Sequence, residues 1–167
     1  GYNYGHPINL SDNIYGSEYS MNEGYTSSWV GLSGSGVGTF PMVTDNYYNK
    51  GPKPLLSAWL SGLSNATTSA NSSFNHHVQL WLGSNKLYED SLVYFYNQHL
   101  TNISIDTPFT MGATTSLQLK VINDLYVTAD WNTIAYADLV YPRTFELGNT
   151  TTRKYNLNSN QQFVSWN

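Results

Sequence analysis

Ser116–Tyr141 reads SLQLKVI, then Asn123-Asp124, then LYVTADW, then NTIAYADLVY. Leu117, Leu119 and Val121 alternate with Gln118 and Lys120. Leu125, Val127, Ala129 and Trp131 alternate with Tyr126, Thr128 and Asp130. A period of two gives one buried face and one wet face. Asn123-Asp124 suits a tight hairpin, because both residue types tolerate positive φ. The stretch therefore predicts a three-stranded antiparallel unit, with Ser116–Ile122 and Leu125–Trp131 paired. On this reading Asp130 faces water, and Trp131 joins Trp29 and Trp59 in the core.

Working outward, the same signals recur. Tyr2, Tyr4, His6, Ile8 and Leu10 occupy even positions against Gly1, Asn3, Gly5, Pro7 and Asn9, and Ile14 returns to that face. This is a one-sided strand, and Pro7 has no N–H, so the strand cannot bond fully on both edges there. Further strands are expected at Thr26–Leu32, Thr39–Val43, Val78–Leu82, Lys86–Tyr96, Leu100–Ile105 and Gln161–Trp166. Leu55–Leu63 suits a strand or a helical turn. Breaks between strands are supplied by Ser33-Gly34-Ser35-Gly36, Gly51-Pro52-Lys53-Pro54 and Gly83-Ser84-Asn85. About ten short strands with such turns and no amphipathic helix predict an all-β fold, a two-sheet antiparallel sandwich with an N-terminal extension strand. The chain divides into residues 1–14, a donor-like strand, and 15–167, the sandwich domain.

At 167 residues the chain is long enough for a substantial core. Only 11% of residues are charged, against an ordinary quarter. Few groups titrate, so such a surface changes little with pH and suits a harsh exterior. The net charge of −4 and seven scattered basic residues form no basic patch, which argues against nucleic acid as a partner. The absence of cysteine excludes disulfides, thiolate chemistry and Cys-zinc sites. No apolar run approaches the ~18 residues of a membrane span. The opening Gly1-Tyr2-Asn3 is expected to be a mature end left by leader cleavage.

No catalytic, cofactor or metal site is expected. His76 and His77 are neighbours on a strand and point to opposite faces, so they do not bind one metal together. Ser33 and Ser35 do not complete G-x-S-x-G, and Gly34-Ser35-Gly36-Val37-Gly38 lacks the last glycine of a dinucleotide fingerprint. Tyr94, Tyr96, Tyr126 and Tyr136 are placed on strands, where rings serve cross-strand packing or a sugar-stacking platform. Sequons occur at Asn65, Asn71, Asn102 and Asn149. Asn65, Asn71 and Asn149 fall in loop-like segments. Asn102 falls in a strand, where a glycan needs an outward face.

Ser28-Trp29-Val30-Gly31-Leu32-Ser33-Gly34, Ser57-Ala58-Trp59 and Ala129-Asp130-Trp131 resemble pieces of the glutamic peptidases, secreted acid-active β-sandwiches. That resemblance implies a concanavalin-like sandwich. It places the family's catalytic Gln near Pro41-Met42-Val43 and its Glu at Asp130, so the catalytic pair is missing. In its Cys-free, Tyr/Asn/Ser/Thr-rich, sequon-bearing character the chain also resembles archaeal extracellular threads and donor-strand pili, with Tyr2–Leu10 in the place of the donor strand. This second resemblance implies identical subunits joined head-to-tail outside the cell, N-linked glycans, and a role in adhesion or biofilm. In this reading Tyr2, Tyr4, Ile8 and Leu10 enter a groove of the next subunit. The alternative is a secreted concanavalin-like carbohydrate-binding module or inactive glutamic-peptidase-like domain, in which Tyr2–Leu10 is the first strand of its own sheet.

Overall fold

The computed structural model describes residues 13–14, 25–68, 73–106 and 111–144. Ten strands follow in order: β1 Asn13–Ile14, β2 Tyr25–Thr26, β3 Val30–Gly31, β4 Val37–Val43, β5 Leu55–Gly62, β6 His76–Leu82, β7 Asn85–Leu92, β8 Asn97–Ser104, β9 Thr114–Val121 and β10 Trp131–Val140. No helix occurs among the described residues. Two four-stranded antiparallel sheets form a sandwich, ordered β3-β10-β5-β8 and β4-β9-β6-β7. β1 and β2 form a separate two-stranded ribbon.

Alternation builds the core. Leu56, Ala58 and Leu60 from β5 meet Val78, Leu80 and Leu82 from β6 and Leu117, Leu119 and Val121 from β9. Intervening residues on β6 and β9 are half-buried or exposed. Each buried Leu or Val contributes roughly 1.5–3 kcal/mol. Gly83 opens the β6–β7 turn at φ 57, and Leu82 pairs with Asn85 across a two-residue loop.

The hairpin expected at Asn123-Asp124 does not form. β9 pairs with β4 and β6, and β10 pairs with β3 and β5 in the other sheet. Residues 122–130 are the crossing between sheets, not a returning strand. A two-residue hairpin needs positive φ at its turn, and neither Asn123 nor Asp124 has it. Asp124 instead donates its N–H to the Ile122 carbonyl (3.1 Å). Tyr126 takes φ 58 and interrupts any extended run. The strand resumes at Trp131, as the NTIAYADLVY segment requires.

Of the three tryptophans expected to be mostly buried, Trp29 departs from expectation. Trp29 is 43% exposed and lies tilted on Trp131, centroids 5.5 Å apart. Trp131 and Trp59 are half-buried. Trp59 and Trp131 both occupy positions that alternate with core residues, so their rings cover outer faces instead of filling the sandwich. Tyr94 and Tyr126 are exposed outside strands, Tyr96 precedes β8, and only Tyr136 of the four lies on a strand. Gln161–Trp166 lies outside the described residues.

Candidate functional site

Among the described residues, one side of the sandwich is left open by the shortness of β3. It pairs with β10 only at Trp131 and Asn132. The preceding chain accompanies β10 slightly further: Ser27 donates its N–H to the Ile134 carbonyl (2.9 Å), and its Oγ accepts from the Ile134 N–H (3.2 Å). From Tyr136 to Val140, β10 has β5 on one side and no described strand hydrogen-bonded to it on the other. Across the gap, β4 pairs only with β9.

The β4 edge is blunted by its own sequence. Thr44 donates to the Ala113 carbonyl (2.9 Å), and Val121 donates to the Gly36 carbonyl (2.7 Å). Antiparallel pairs alternate, so even-numbered residues of β4 bond inward and Val37, Thr39, Pro41 and Val43 turn their backbones outward. Pro41 therefore sits where an N–H would be unpaired, as edge strands permit. It also removes one donor from the middle of the exposed edge.

Between these edges lies a groove of ≈ 430 Å³. Ser27, Tyr136 and Asp138 give it a polar part. Phe40 and Met42 of β4, Leu117 of β9, and Ile134, Ala137 and Leu139 of β10 line its apolar part. All are buried or partly buried against the core cluster, so the groove is a lateral opening into the sandwich interior. A second hollow, also ≈ 430 Å³, shares Phe40 and continues toward Trp29, Val30 and Gly38. Together they follow β4 for its seven residues, about 23 Å at a strand's rise. At one end Tyr47 bridges to Arg143, and Arg143 Nη2 donates to Asp45 Oδ2 (2.9 Å). β2 lies against β10 and pairs with β1.

A different arrangement closes the interior near the start of β6. Asp130 and His76 are both 0% exposed. Asp130 Oδ1 accepts from His76 Nδ1 (2.7 Å) and Asn132 Nδ2 (2.6 Å), and Oδ2 accepts from the His77 N–H (3.1 Å). His76 Nε2 faces the carbonyls of Ser64 and Tyr94, both at 2.9 Å. Both ring nitrogens thus have a hydrogen-bond partner. Tyr96 donates its hydroxyl to Asn132 Oδ1 (2.8 Å). Burial, followed by the Asp130 charge, pushes the Tyr96 hydroxyl well above its ordinary range and keeps it a neutral donor. Gly62 leaves room for this packing, since a Cβ there would lie 2.7 Å from His76 Nε2.

This network corrects the placement of Asp130 on a wet face. The His76 side chain, 54 positions earlier, draws the carboxylate inside. The position that the glutamic-peptidase resemblance gives to the catalytic Glu is thus occupied by a carboxylate whose oxygens already accept three hydrogen bonds. His76 is buried and His77 half-buried, on opposite faces as expected, and no group of three or more metal-ligating side chains occurs among the described residues.

Tyr2, Tyr4, Ile8, Leu10, Asn71 and Asn149 lie outside the described residues. Asn13 and Ile14, at the end of the 1–14 segment, pair with Thr26 and Tyr25 of the same chain. Asn65 is exposed in a loop. Asn102 is exposed on β8 at φ 53, so its strand does offer an outward face. Sequence reasoning misses the His76–Asp130 pair, although His76 is in phase with Val78, Leu80 and Leu82. It also misses the groove, which depends on where β3 stops. No protein-family profile, curated protein or solved structure matches the chain.

Proposed function

We propose that the protein is a structural subunit of an extracellular filament, a thread or pilus, assembled by donor-strand complementation. The observation that carries this reading is the groove whose apolar part is formed by Phe40, Met42, Leu117, Ile134, Ala137 and Leu139, opening between two sheet edges. A one-sided apolar strand is the complement of such a groove, and Tyr2–Leu10 supplies one. Pro41 makes β4 a poor ladder partner, so the added strand bonds to β10 along Tyr136–Val140. That free edge is about 17 Å long and pairs with about five residues. Two of Tyr2, Tyr4, Ile8 and Leu10 then fill the groove, at ~1.5–3 kcal/mol per side chain. Ladder bonds add ~1 kcal/mol each, offset by the cost of ordering the arm.

Strand and groove are different surfaces, so the contact is heterologous, and unless it closes a ring it propagates as a fibre. The sequons and the low charge suit a glycosylated exterior polymer with an adhesion or biofilm role. Removing residues 1–12 should give a soluble, less stable monomer that keeps β1. Adding a peptide of residues 1–12 should restore stability without restoring filaments, as read by thermal melting and electron microscopy. Filaments formed by the truncated protein would contradict the proposal. So would a full-length protein that stays monomeric with its arm in its own groove.

A further inference from the structure

The outer face of the β3-β10-β5-β8 sheet carries a row of three rings. Tyr136 on β10, Trp59 on β5 and His99 on β8 are direct cross-strand partners. Trp59 stacks on His99 with centroids 5.0 Å apart and planes 23° from parallel. Tyr136 meets Trp59 at 6.3 Å and His99 at 5.9 Å, edge-on, and its hydroxyl hydrogen-bonds His99 Nε2. The row has a wet side, since His99 and Tyr136 are both exposed. Trp59 Nε1 is enclosed and has no hydrogen-bond partner among the described residues, which cross-strand packing alone does not explain.

The next row along the same face is polar. It consists of Asp138, Ser57, Thr101 and Asn102. The register shifts opposite Ser57, so Thr101 and Asn102 both face outward, while Leu100 and Ile103 face in. Asn102 donates its N–H to Ser57 Oγ (3.1 Å), which fixes it about two residues, or about 7 Å, from the Trp59 position. Asn102 begins a sequon completed by exposed Ser104. Its φ of 53 accounts for Asn at that point. It does not account for Ser104 or for the neighbouring rings.

We propose that this face is a stacking shelf for an N-linked glycan attached to Asn102 of the same chain. A pyranose has flat C–H faces and a hydroxyl rim. Three rings with polar groups beside them offer the matching surface, and Asp138 is the single full charge in the two rows. The attachment is local, so stacking needs no second molecule and little ordering. Attachment joins Asn102 Nδ2 to the anomeric carbon as the bond from that carbon to an activated sugar phosphate breaks. The amide proton leaves with the phosphate. The shelf serves a filament subunit and a free domain alike, so it stands or falls apart from the donor strand.

Intact-glycopeptide mass spectrometry of the protein from its natural host should find Asn102 occupied. Ser104→Ala removes the sequon and leaves the Asn102 backbone unchanged. It should lower Tm by about 2–4 °C, the shift for a modest stabilising contact in a domain of this size. In a Tyr136→Ala, His99→Ala background the same change should leave Tm unaltered, while in Tyr136→Phe the fall should persist. Unmodified Asn102, or an equal fall in Tm without the rings, would overturn the shelf.

Discussion

The two ends of the interior are finished in opposite ways. Around His76 and Asp130 every polar atom has a partner, no side chain of the pair reaches water, and four separate segments are tied together. Along β4 and β10, apolar side chains and backbone groups are left without a covering strand among the described residues. Buried polar clusters are costly unless complete, and an exposed edge with an apolar lining is an association hazard. Among the described residues, the sandwich is tied by its polar network at one end and left without a covering strand at one lateral edge. The first region bears on folding, and the second on the assembly proposed above.

Breaking the locked region should have the largest effect. Asp130→Ala leaves His76 buried against two carbonyls without its carboxylate, and should cost ~3–5 kcal/mol in urea denaturation. A loss under ~1 kcal/mol would mean that the network is not what secures the segments around Ser64, Tyr94 and Asp130. Leu139→Asp should act mainly on assembly. It places a charge in the groove at a half-buried position packed against the core, where folding stability should fall by about 1–3 kcal/mol, less than at Asp130. Filament formation, followed by light scattering and microscopy, should be lost. A variant that unfolds, or one that still polymerises, would erase the distinction between the two regions.

How much of this is legible in the sequence follows from range. Leu117, Leu119 and Val121, and Val78, Leu80 and Leu82, are readable as strand faces because alternation is local. Their partners are not, since β9 pairs with β4 about 80 positions away and not with the segment beyond Asn123. Asp130 reads as solvent-facing in the alternation of LYVTADW, and only a histidine from β6 explains its burial. The groove is invisible for a related reason. Phe40, Met42, Ala137 and Leu139 read as ordinary strand residues, and their incomplete cover depends on β3 ending after two residues.

Smaller changes sharpen the comparison. Pro41→Thr restores an outward N–H in the middle of β4. Monomer stability should move by no more than ~0.5 kcal/mol, while side-by-side aggregation, read by light scattering, should rise. Unchanged aggregation would show that Pro41 does not guard this edge. On the far side of that sheet, the carboxyl of Glu89 on β7 is lowered to about 2, chiefly by its hydrogen bond to Lys86 and then by Gln79. A lowered carboxyl stabilises the fold above its ordinary titration range and loses that contribution as pH falls toward about 2. NMR titration should place its midpoint near 2, and solvent exposure should keep the effect on stability slight. A midpoint near the ordinary ~4.3 of a glutamate would remove the Lys86–Gln79 clamp.

The central claim is that residues 1–10 fill the groove of another copy. The chain has no cysteine, so introduced thiols report without background. One population would carry Leu10→Cys and a second Ala137→Cys, mixed before assembly and oxidised gently. The expected result is a disulfide joining one chain of each kind, identified by the mass of the linked peptides. No linkage in the mixture, together with efficient linkage inside a single chain carrying both changes, would place the arm in its own groove and contradict the claim.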